Sequence, residues 1–178
     1  ELSRHTEAVL ELIRSEIASD GAVIKIDRTP LVARLEATLR DSPVVIVSGE
    51  AGVGKTAVVK DFYAGLKGAS PLFLFKATEF NGLTNANQLF RDYGDFTLSD
   101  LVQEFVAAEK KYIVIDSAEE LSGIEHPEVF QEVLSTFRLA GWRIFVTTRF
   151  SYLEYLERTL ILLSGVSSDS AHVQIFTV

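Results

Sequence analysis

Residues 44–62 read VVIVSGEAGVGKTAVVKDF, and this stretch narrows the folds open to the chain more than any other. Val44 to Val47 form an unbroken β-branched apolar run, which suits a strand buried on both faces. After Lys55-Thr56 the apolar spacing changes, and Ala57, Val58, Phe62 and Leu66 fall on one side of a helix. Gly49, Gly52 and Gly54 stand between, where the backbone has to reverse within a few residues. A doubly buried strand that passes through a tight glycine turn into a helix is the repeating unit of a helix-covered parallel sheet.

The rest of the chain repeats that alternation. "SPVVIVS", "PLFLFKA", "YIVID", "WRIFVTT" and "AHVQIFTV" read as strands. "KTAVVKDFYAGLK" and "SYLEYLERTLILL" read as helices. So do "TLSDLVQEFVAAEKK", opened by a Thr97/Asp100 capping box, and "HPEVFQEVLSTFRLAG", with Pro127 near its start and Gly141 past its end. "DRTPLVARLEATLR" is a helix with Pro30 in its first turn and Leu31, Leu35 and Leu39 on one stripe. Residues 2–19 put Leu2, Thr6, Val9, Leu10, Ile13 and Ile17 on one face, which predicts a helix ended by Asp20-Gly21; "AVIKI" follows as a short extended piece. Residues 78–96 stay open between loop and short helix, and "GVSSDS" reads as a turn. The expectation is an α/β three-layer sandwich: a parallel five-stranded sheet with helices on both faces. Residues 1–21 form an N-terminal helix and linker, and residues 22–178 one core.

In such sheets ligands sit beyond the carboxyl ends of the strands. Polar residues gather there: Ser48-Gly49, Asp116-Ser117 and Thr147-Thr148-Arg149 each follow an apolar run. Gly49-Glu50-Ala51-Gly52-Val53-Gly54-Lys55-Thr56 fits G-x-x-x-x-G-K-[ST], a pattern that a random chain of this length shows with odds on the order of one in a hundred. Its glycines bring backbone N–H groups onto phosphate oxygens, and the helix that begins at its end, through Ala57, adds partial positive charge. Lys55 reaches the β/γ-phosphates, and the Thr56 hydroxyl ligates Mg²⁺. Asp116, ending "YIVID", is placed to hold the same ion. Glu119 and Glu120 follow. Either could orient an attacking water, and both also suit a solvated acidic helix start. Arg149 either stabilises a terminal phosphate or is a solvated strand end. The expected ligands are therefore ATP or ADP with Mg²⁺.

The chain has 178 residues and a formal net charge of −8, which argues against broad binding to nucleic acid or anionic membrane. It has no cysteine, so it carries no disulfide framework or thiolate metal site. No apolar run approaches a membrane span, and the start, "ELSRHTEAVL", is no signal peptide, which predicts a cytoplasmic protein. It also lacks methionine, the initiator included, as an excised piece of a longer protein would.

Together these motifs resemble the STAND class of P-loop NTPases, related to AAA+ ATPases within the additional-strand division. "DSAEEL" resembles the NACHT-type Walker B segment, "VTTR" resembles the sensor 1 motif of NB-ARC proteins, and "IDRTPLVARLEATL" resembles the segment before the P-loop that packs near the adenine, with Arg28 as its arginine. The resemblance spans about residues 22–178. It implies a sheet order of 5-1-4-3-2 and a core cut before the family's helical and winged-helix lid. It also implies a signalling or defence switch that self-associates, through regions outside this chain, when loaded with ATP. Ser117 stands where AAA+ proteins carry an acid, which implies slow hydrolysis; the alternative is an AAA+-type motor or loader acting on DNA or protein.

Overall fold

The computed structural model describes the whole chain except residues 15, 20, 21, 67, 165–172 and 178. Four apolar runs become strands β3 (Val44–Ser48), β4 (Leu72–Lys76), β5 (Tyr112–Asp116) and β6 (Arg143–Thr148), numbered after a hairpin of β1 (Glu16–Ser19) and β2 (Ala22–Lys25). They hydrogen-bond in parallel in the order β4-β5-β6-β3, so the 1-4-3-2 part of the expected order holds. On the far side of β3, β7 (Val173–Thr177) runs parallel to it, Ile46 opposite Ile175. The expected "GVSSDS" turn lies outside the described residues.

Side chains alternate between the faces of the sheet. Val44, Ile46, Phe73, Phe75, Ile113, Ile115, Ile144 and Val146 join one apolar cluster, with residues of α4 (Leu98–Glu104), α5 (Pro127–Leu139) and α6 (Leu153–Ser164). Val45, Val47, Leu72, Leu74, Tyr112, Val114 and Phe145 join the other, with residues of α2 (Thr29–Asp41) and α3 (Lys55–Leu66). The apolar runs are continuous because both faces need cover.

α1 (Leu2–Glu11) does something else. Leu2 belongs to the first cluster and Val9 and Leu10 to the second, so the helix wraps around the β4 edge of the sheet. Midway, Thr6 Oγ1 accepts the Leu74 N–H at 3.0 Å, satisfying a strand donor that has no neighbouring strand on that side. At the carboxyl end of β4, Glu79 accepts the Lys76 N–H at 2.7 Å and the Tyr93 hydroxyl at 2.6 Å, and lies 3.2 Å from His5 Nε2. Burial, and then that carboxylate, push the Tyr93 phenol well up.

Several elements depart from expectation. The helix expected over residues 2–19 ends at Glu11, and Glu16–Ser19 pairs antiparallel with Ala22–Lys25. The alternating run on each side of Asp20-Gly21 is a hairpin pattern, and it outweighs the helical phase of Ile13 and Ile17. The boundary expected between residues 21 and 22 therefore falls inside a paired hairpin. α4 stops at Glu104, short of the expected Lys111. The sheet recruits Lys111: its carbonyl accepts the Arg143 N–H at 2.9 Å, and its ammonium donates to the Phe105 carbonyl at 3.1 Å. Across residues 78–96, which the sequence leaves open, fall two short 3₁₀ turns, Ala77–Phe80 (beginning one residue before) and Ala86–Phe90, which bury Phe80, Leu89 and Phe90. Among the described residues no helix is long and apolar enough to cross a membrane.

Candidate functional site

The glycine-rich turn joins the carboxyl end of β3 to the first turn of α3. Gly52 and Gly54 have φ of +78° and +97°, a region side chains rarely enter. A Cβ on Gly54 would also lie 3.5 Å from an Arg28 nitrogen. Lys55 Nζ turns back over the loop and donates to the Gly49 carbonyl at 3.0 Å and the Glu50 carbonyl at 2.8 Å. Its charge is thereby held at the mouth of the loop, beside the amides that open α3.

Hydrogen bonds join the neighbouring strand ends to each other and to the start of α3. Thr56 Oγ1 donates to Asp116 Oδ1 at 3.0 Å. Thr147 Oγ1 donates to the same oxygen at 2.6 Å and accepts the Ser117 N–H at 2.9 Å. Ser117 is the one described non-glycine residue with positive φ, at +61°. That left-handed step turns the chain into the 3₁₀ segment Ala118–Gly123. Glu119 therefore swings toward β6, where its Oε1 meets Arg149 Nε at 2.8 Å.

A cavity of about 370 Å³ opens over these groups, lined by Ala51 to Ala57, Ser117, Glu119, Thr147, Arg149 and Arg28. Arg28 is 7% exposed and lies 3.5 Å from Asp61. Ile13, Arg14 and Ile26 close the far rim. No motif marks those three residues, because chain folding and not local sequence brings them in.

The structure thus brings together Lys55, Thr56, Asp116, Glu119, Arg149 and Arg28, with Asp116 reaching the site through Thr56. It leaves Glu120 out: this side chain is exposed and not among the cavity's described lining residues. The arrangement fits a nucleoside polyphosphate. It has free amides at a helix start, a loop lysine, and a hydroxyl and carboxylate that converge on one point as cation ligands do.

No protein-family profile matches the chain, and no curated protein does. Solved structures do. The Walker-type ATPase PABY2304 of Pyrococcus abyssi superposes with a TM-score of 0.56 at 17% identity over 94% of this chain and 57% of that one. The Hsp104–ADP complex of S. cerevisiae gives 0.56 at 16% identity, over 100% of this chain and 25% of that one. Drosophila ORC bound to DNA gives 0.54 at 14% identity, over 84% and 42%. The chain spans from a quarter to just over half of these proteins, and at such identities the likeness is one of fold. That fold is an α/β fold, a parallel sheet with helices on both faces, which the chain shares with a Walker-type ATPase.

Proposed function

We propose that the chain is the ATP-binding core of a STAND-like signalling or defence ATPase, a switch that hydrolyses slowly. The amides from Glu50 to Ala57 and the Lys55 ammonium hold the phosphates (the Gly49 N–H is taken by the Thr148 carbonyl at 3.3 Å), Arg28 flanks the base, and Thr56 and Asp116 hold Mg²⁺. The ion supplies charge neutralisation across the phosphates. Self-association is assigned to regions outside this chain, and the additional-strand division to β6, the strand between β3 and β5.

One observation favours the switch. Glu119 is the only acidic side chain among the described lining residues of the cavity, and it is bound to Arg149 at 2.8 Å. A carboxylate already engaged by a guanidinium is not free to orient a water, so fast water activation is not built into this site.

The second reading is a motor or loader of the AAA+ kind, favoured by likeness to Hsp104 and to ORC on DNA. Turnover and assembly separate the two. A switch is expected to bind ATP tightly, turn over in minutes and gain no rate from DNA or unfolded protein. Stimulation above about one per second by either, the lower end of common enzyme rates, would establish the motor. Absence of nucleotide binding by calorimetry would remove both.

A further inference from the structure

We propose that Glu119 is the positioning residue for Arg149, and that this pair, not a water-activating carboxylate, gives the site its preference for a triphosphate. The inference rests on reading the cavity as a nucleotide site. Glu119 Oε1 lies 2.8 Å from the Nε of Arg149 in an ion pair, and no second acidic partner of the Arg149 side chain is found among the described residues. The ion-pair contact is at Nε, at the base of the fork whose two terminal nitrogens match a phosphate edge. Both residues line the cavity that holds Lys55 and Thr56.

Two further observations decide between positioning and competition. Glu119 is 16% exposed on its side chain, against 52% for Arg149, so the carboxylate is the fixed member and the guanidinium the guided one. Glu119 Oε2 is buried with no partner. If a phosphate drew Arg149 away, a carboxylate with one buried, unpartnered oxygen would also lose its counter-charge in a half-closed site, which is costly. The pair therefore persists, and the terminal nitrogens bind the incoming phosphate. The strand ends share a brace: Ser117, two residues before Glu119, is bonded to Thr147, two residues before Arg149. Holding a long side chain in its binding geometry beforehand removes an entropy cost from the ligand.

The test compares ADP with a non-hydrolysable ATP analogue by calorimetry, using wild type, Arg149→Ala, Glu119→Ala, Glu119→Gln and the Glu119→Ala/Arg149→Ala double variant. Arg149→Ala is expected to weaken the triphosphate about tenfold or more, with a far smaller effect on ADP. Glu119→Ala is expected to follow it in the same direction. Glu119→Gln, which keeps an oxygen beside Nε and removes the charge, is expected to fall between wild type and Glu119→Ala. The double variant is expected to be no worse than Arg149→Ala alone. Multiplying losses, or a triphosphate affinity that rises or stays level in Glu119→Ala, would overturn the proposal. Single-turnover hydrolysis adds a second reading: if Glu119→Gln falls about a hundredfold or more, together with Glu119→Ala, the residue is the base and the proposal fails. Failure of the site itself looks different, because wild type would then bind neither nucleotide, or Lys55→Ala would change neither affinity.

Discussion

The Thr147 hydroxyl is 1% exposed as a residue, donates to Asp116 and accepts from Ser117. Thr147→Val keeps the shape and removes both bonds, so a buried N–H and a carboxylate lone pair lose their partner. We expect a loss of about 1–3 kcal/mol, read from the denaturant midpoint, together with weaker nucleotide binding. Lys55→Ala should leave the unfolding transition nearly in place, since its ammonium touches only the loop carbonyls Gly49 and Glu50, and should raise the Kd for nucleotide roughly 30-fold or more. Unchanged affinity would remove the P-loop assignment. Glu120→Gln should change neither affinity nor stability, because that carboxylate is exposed and stands off the cavity. At this scale the glycine loop is legible in sequence because its chemistry is local, with all of its groups within a few residues. The choice between Glu119 and Glu120 is not, because a single left-handed residue, Ser117, decides which acid faces β6.

Elements end where something else claims their residues. The Thr97 N-cap of α4 accepts the Asp100 N–H at 3.2 Å, and the Asp100 carboxylate accepts the Thr97 N–H at 2.8 Å. Thr97→Ala is expected to cost about 1 kcal/mol in thermal or denaturant unfolding. The backbone bond from Thr97, and then its hydroxyl, hold the Asp100 carboxyl below its ordinary range. A folded-state value lowered in this way adds stability above the unfolded pKa and loses it as pH falls through the folded one. The difference between wild type and Asp100→Asn is thus expected at neutral pH and closes below about pH 4. The capping box shows in the sequence as Thr and Asp three positions apart, so this helix start is readable. Its end is not, because Lys111 is taken by the sheet and by Trp142, whose ring centroid lies 5.9 Å from the ammonium. α1 teaches the same lesson in reverse: Ile13 and Ile17 continue its apolar phase, yet the hairpin pairing ends it.

For the molecule as a whole, the layers follow from strand runs that are apolar at every position, and the carboxyl-end location of the site follows from the layers. What the runs do not contain is the wrapping of α1 around β4, since Thr6 reads as just another helical residue until Leu74 is beside it. The rim of the cavity escapes sequence for the same reason. Ile13 and Arg14 follow α1, Ile26 leads toward α2, and Lys60 of α3 donates to the Ile13 carbonyl at 2.7 Å. Both stems of the β1–β2 hairpin are thus rooted on the rim of the cavity, like the two feet of an arch. Whatever stiffens the footing stiffens the span. Amide hydrogen exchange in residues 16–19 and 22–25 should slow when an ATP analogue binds and keep its free-state rate in Lys55→Ala, which makes the hairpin a gauge of cleft occupancy read at a distance from the phosphates.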